Sequence, residues 1–113
     1  MTGPSLQTTV TLEYTLGALV RKVRQEQGIG LRVLATRCGI SPSYLSRIET
    51  GAERSPPSED VLEEFARHLD IDVDRLLCLA GRVPADLAEW ATSSVAVMKR
   101  LRMEAKRTPR SND

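Results

Sequence analysis

The sequence predicts an all-α protein built around one small aliphatic core. Apolar residues recur at spacings of three and four through successive segments, which is the helical period rather than the alternation of a strand. The segments are punctuated by Ser or Thr in front and by Gly or Pro behind, the residues that cap and stop helices. Apolar residues make up 41% of the 113 positions but aromatic residues only 4%, so the core must come from aliphatic side chains.

Each element follows from its own residues. Thr15 is placed to cap a first helix in which Leu16, Leu19, Val20 and Val23 share a face, with Gly28 as its stop. A tight Gly28-Ile29-Gly30 link leads to a second helix, Leu31 to Cys38, with Leu34 and Ala35 facing inward and Gly39 ending it. Ser41 caps a third helix whose first position is Pro42, where a missing N–H costs nothing. Leu45 and Ile48 are its inward residues and Gly51 closes it. The two prolines of "AERSPP" keep the next segment a loop. Ser58 caps a fourth helix with acids in its first turn, where the helix dipole favours them, and with Val61, Leu62, Phe65, Ala66 and Leu69 as its stripe. A short fifth helix carries Val73, Leu76, Leu77 and Leu79 up to Gly81, and Pro84 starts a longer sixth.

Composition excludes several classes of function. No run of eighteen apolar residues is present to cross a membrane, and the N-terminus lacks the basic-then-apolar order of a secretory signal, so a cytoplasmic, nucleoid-associated protein is expected. Cys38 and Cys78 have no CxxC spacing and both fall in apolar helical patterns, so both read as reduced core residues. His68 lies on a polar helix flank without triad partners, and the adjacent Glu63 and Glu64 diverge on a helix. With no Gly-rich phosphate loop and no metal-ligand spacing, neither enzyme activity nor a metal or cofactor is expected.

Charge is uneven along the chain. Residues 20–54 carry seven basic side chains against Glu26, Glu49 and Glu53, whereas residues 55–92 carry three arginines against nine acids. A basic segment followed by an acidic one suits a surface facing a polyanion beside a solvated one. The second and third helices, joined by a Gly-containing turn, make a helix-turn-helix. Its second member anchors late and leaves Pro42, Ser43, Tyr44 and Arg47 facing outward. A helix of this size fits the DNA major groove with its N-terminal turn toward base edges.

The segment Leu16 to Leu77, 62 of 113 residues, resembles the DNA-binding domain of the Cro/repressor (XRE-type) family. The likeness rests on Leu34-Ala35, the Gly39 turn, the run Ser41-Pro42-Ser43-Tyr44-Leu45-Ser46, Ile48-Glu49 followed by Gly51, and the late Pro57-Ser58. It implies a compact five-helix, lambda-repressor-like bundle binding double-stranded DNA as a homodimer, acting as a repressor or autoregulator. It also implies base-facing positions for Ser43, Tyr44 and Arg47, positions near the phosphate backbone for Ser46 and Arg54, a place in the DNA-binding set for Ser41, and an internal salt bridge between Arg24 and Glu49. Gly30 and Leu31 stand where many members have a polar cap and a Gln, and Arg32 is placed to meet phosphate instead.

The flanks are read separately. Residues 1–13 form an N-terminal arm or short strand, in which Leu6, Thr8, Val10 and Leu12 alternate; residues 14–81 form the helix-turn-helix domain. Residues 82–107 supply one extra C-terminal helix and residues 108–113 a disordered tail. Leu87, Ala91, Ser94, Met98, Leu101 and Ala105 follow at steps of four and three, with Trp90 beside them: a heptad-like seam. Leu87, Trp90, Met98 and Leu101 are therefore dimerisation candidates, unless the helix folds back on its own bundle. The contrasting function is an antitoxin or adaptor whose main partner is another protein.

Overall fold

The computed structural model describes residues 14–108, and every regular element among them is an α-helix. In chain order these are α1 (Leu16–Glu26), α2 (Leu31–Cys38), α3 (Pro42–Thr50), α4 (Glu59–Leu69), α5 (Val73–Ala80), α6 (Ala85–Ala91) and α7 (Val95–Arg107). The chain divides into two compact units, of which the described parts are residues 14–82 and 83–108. The arm or strand expected over residues 1–13 lies outside the described residues, as does the expected tail beyond Thr108.

In the first unit, local chemistry sets the helix ends. The hydroxyls of Thr15, Ser41 and Ser58 accept the N–H groups of Ala18, Tyr44 and Val61, satisfying donors that have no partner inside the helix. The five helices bury Val20, Leu34, Leu45, Leu62, Phe65, Leu69 and Leu76 almost completely. α1 packs against α3, α4 and α5, and α2 against α3 and α4, so the core runs through all five. Burying these side chains supplies on the order of 1.5–3 kcal/mol each relative to exposure.

One close approach fixes how α1 meets α3. A Cβ at Gly17 would stand 2.0 Å from the Ile48 carbonyl oxygen, so only glycine lets these backbones come together. Gln27 ties the end of α1 to the end of α4 by donating its Nε2–H to the Leu69 carbonyl at 2.7 Å. The long loop between α3 and α4 is held from the far side. Arg82 donates from Nε to the Pro57 carbonyl and from Nη2 to the Pro56 carbonyl at 3.0 Å.

Two expectations need correction. Cys38 is buried as expected, and burial, with the Glu64 charge nearby, pushes its thiol up to about 11. Cys78 instead sits on the exposed side of α5, because the 3.6-residue period turns it away from Leu76 and Leu77. The single C-terminal helix is in fact two. Thr92 and Ser93 return their hydroxyls to the Ala88 and Trp90 carbonyls at 2.9 and 2.7 Å, and Ser94 turns extended to cap α7 through the Val97 N–H. Three consecutive hydroxyl residues offer the backbone local partners that compete with helix continuation, so the heptad-like seam breaks at its middle. α6 and α7 pack against each other, yet no residue of either is buried.

Candidate nucleic-acid interface

The turn between α2 and α3 is made by Gly39, whose φ of 72° lies in the left-handed region open to glycine. Its N–H and that of Ile40 return to the carbonyls at the end of α2, while Ser41 swings extended to begin α3. Leu45 and Ile48 then lock α3 into the core at one turn's spacing, and the remaining faces of the helix must point elsewhere.

The outward face carries Ser43, Ser46 and Arg47, all exposed. Tyr44 is half-buried and its ring packs against the core cluster, leaving the ring partly available at the surface. Ser41 is exposed, but its oxygen is engaged in capping by accepting the Tyr44 N–H at 3.0 Å. Arg32 is exposed on the first turn of α2, beside Val33, Thr36 and Arg37 along a shallow groove. Arg54 is exposed in the loop after α3, in a second groove shared with Thr15, Thr50 and Ser55.

Arg24 and Glu49 form a two-toothed ion pair beneath this face. Arg24 donates from Nε to Glu49 Oε2 at 2.7 Å and from Nη2 to Oε1 at 2.9 Å, with side-chain exposures of 10% and 4%. Its Nη1 donates to the Ile29 carbonyl at 2.9 Å, so the same guanidinium also pins the turn before α2. The Glu49 hydrogen bond raises the Arg24 pKa above its ordinary value, and the Glu49 charge adds to it, despite opposing burial. It joins the end of α1 to the end of α3, which sets the pitch at which α3 is presented.

The structure adds two residues to the candidate face. Arg37 lies exposed on α2, one turn beyond Val33 and away from the inward Leu34, Ala35 and Cys38, so the helical period was the signal that could have found it. Glu53 reaches back across the loop to Arg47, whose Nε–H donates to Glu53 Oε1 at 2.9 Å. No residue spacing signals that contact, because it depends on how the chain reverses after Gly51. The Arg47 guanidinium also lies over the Tyr44 ring, 5.7 Å from its centroid. Among the described residues no group of His, Cys, Asp or Glu is arranged to hold a metal ion.

Several known proteins are similar to this chain over its first unit. An HTH-type transcriptional regulator of Mycobacterium tuberculosis (strain ATCC 25618 / H37Rv) is 37% identical over 65 residues, covering 58% of this chain and 45% of the relative. The HTH-type transcriptional regulator SinR of Bacillus subtilis (strain 168) is 37% identical over 62 residues, covering 55% of each. The chain thus spans about half the length of the curated relatives it matches. A crystal structure of SinR, the master regulator for biofilm formation, in complex with DNA superposes with a TM-score of 0.51 at 36% identity, covering 56% of this chain and 98% of that one. The helix-turn-helix domain family matches residues 15–77, from the cap of α1 into α5, which is more than half of the chain. With the Gly39 turn, the Ser41 cap and the anchored α3 all lying inside that span, the chain belongs to the helix-turn-helix domain family.

Proposed function

We propose that the chain is a sequence-specific DNA-binding transcriptional regulator that reads the major groove with α3, acts as a homodimer in the cytoplasm at the nucleoid, and catalyses no reaction. The observation that carries this reading is the division of labour on α3. Leu45 and Ile48 are spent on the core, while Ser43, Ser46 and Arg47 stand exposed on a helix held rigidly by the Arg24–Glu49 pair. Hydroxyls and a guanidinium are the groups that address base edges and phosphates. Arg32, Arg37 and Arg54 flank α3 in sequence and are exposed, which supplies positive charge for the backbone.

The homodimer reading rests on α6 and α7. Leu87, Trp90 and Met98 are 49%, 45% and 37% exposed, and Leu101 is half-buried, so both helices keep apolar side chains that a second copy would cover. Two half-sites about 34 Å apart would then be read together. An adaptor or antitoxin role, with a different protein on the Trp90 face, is the competing reading.

Selection of duplexes from a random pool by the full chain tests the proposal. The expected product is a two-fold-related pair of half-sites, bound with an affinity that falls steeply as salt rises. Arg54→Ala should weaken all duplexes alike and flatten the salt slope by about one phosphate's worth. No enrichment over the pool would defeat the DNA reading. Selection of single half-sites by a chain that sediments as a monomer would defeat the dimer alone, and a second protein species co-purifying in its place would favour the adaptor.

A further inference from the structure

We propose that Glu53 is a specificity-determining positioning residue for the recognition helix. It grips Arg47 by the Nε–H, so that the outer Nη groups are aimed at one guanine. The inference rests on the DNA-binding reading of α3.

A half-exposed arginine ordinarily samples many rotamers, and ordering it on DNA costs affinity. Two side-chain contacts order Arg47 beforehand, and two backbone hydrogen bonds fasten the loop beside it. Its Nε–H donates to Glu53 Oε1 at 2.9 Å, and its guanidinium lies over the Tyr44 ring, which the core holds in place. Its own carbonyl accepts the N–H groups of Ala52 and Glu53 at 2.9 and 3.1 Å, so the loop that brings the carboxylate is fastened to the residue the carboxylate holds. Gly51, with φ at 81°, permits the reversal. Glu53 itself is 26% exposed and Arg47 51%, so the pair sits at the rim and adds little to folding stability.

The geometry has a chemical consequence. The Nε–H is occupied, whereas Nη1 and Nη2 carry no hydrogen bond to other described residues; this planar pair of donors matches the O6 and N7 acceptors of guanine. The carboxylate has a second effect through its charge. If Arg47 swings away to a phosphate, Glu53 is left unpaired beside the DNA polyanion, and that arrangement is penalised by like-charge repulsion. Glu53 therefore favours the base-reading pose over the phosphate-bound one and widens the gap between the operator and random DNA.

The test uses the full chain, the operator recovered from the random pool, the operator with the Arg47-dependent guanine pair replaced, and a random duplex. Glu53→Gln, Glu53→Ala, Arg47→Ala and the Arg47→Ala/Glu53→Gln double variant are compared at one salt concentration. The natural chain should discriminate against the replaced pair by about tenfold or more. Glu53→Gln should tighten the random duplex by roughly a few-fold through lost repulsion and cut discrimination at that pair by about tenfold, with Glu53→Ala at least as large. In the Arg47→Ala background Glu53→Gln should leave discrimination where it was, a result that a merely structural loop contact would not produce. Unchanged discrimination in both Glu53 variants, or equal tightening on every duplex, overturns the inference while leaving the DNA reading intact. A natural chain that recovers no operator sinks that reading and this inference with it.

Discussion

Residues 14–82 and residues 83–108 are both α-helical, and both carry well-formed helix caps, yet only the first unit has an interior. Phe65 and six aliphatic side chains around it are essentially inaccessible, while Val83, Leu87, Trp90, Val95, Met98 and Met103 all remain exposed in the second. Their ion pairs differ in the same way. Arg24–Glu49 is shielded and two-toothed, whereas Arg107–Glu104 is a surface pair with exposures of 73% and 60%. Helix formation by itself thus says little about whether a segment is held by its own chain. The unit with an interior can present side chains in fixed places, as readout requires. The unit without one leaves its apolar side chains exposed.

The contrast is broken most directly by removing one large aromatic from each unit. Phe65→Ala should cost about 3–5 kcal/mol of unfolding free energy, because neighbours cannot close a cavity at the centre of five helices. Trp90→Ala should cost about 0.5 kcal/mol or less in the monomer. Urea melts followed by circular dichroism measure both, and equal losses would mean that the second unit has an interior after all.

Next in size is the comparison of the two ion pairs. Arg24→Ala strands the Glu49 carboxylate at 4% exposure and should destabilise by about 3–5 kcal/mol, whereas Arg107→Ala should change stability by about 0.5 kcal/mol or less. A double-mutant cycle with Glu49→Ala should give strong coupling, and additive small effects would show that the buried geometry contributes nothing. Salt should weaken the Arg107 pair and leave the Arg24 pair nearly untouched.

The smallest effect sharpens the contrast from the stabilising side. Asp70 ends α4 with φ at 58°, the left-handed conformation that glycine adopts without a Cβ penalty. Asp70→Gly relieves a left-handed Cβ strain of about 1–2 kcal/mol and gives back part of that as unfolded-chain entropy, so the unfolding free energy of the first unit should rise by about 0.5 kcal/mol. Trp90 is the chain's one tryptophan, so its fluorescence reports the second unit, and the substitution should shift the dichroism transition without shifting the fluorescence one. A common shift in both signals would show the units unfolding together.

Much of the first unit was legible because its signals are local. Thr15, Ser41 and Ser58 each cap the helix they precede, and Gly39 ends α2 in the left-handed turn that its position implied. The exposed faces of α2 and α3 followed from the 3.6-residue period once Leu34, Leu45 and Ile48 were assigned inward. The same period misled at Cys78, where an apolar residue type was taken for a buried position, and at Leu87 to Ala105, where spacing ran unbroken across the hydroxyl run that divides α6 from α7.

The sequence by itself determined the helical class, the five-helix order of residues 14–82, and the residues on the outward face of α3, since caps, stops and apolar spacing act over a single turn. Apart from the Arg24–Glu49 pair, which the family resemblance implied, only the tertiary structure decided which partners meet across the chain. Gly17 is required because the α3 backbone passes against it, Arg82 reaches back to the Pro56 and Pro57 carbonyls, and Glu53 closes on Arg47. Each of these depends on where two distant segments come to rest, and that is settled by the packing of the whole core rather than by any local preference of the residues involved.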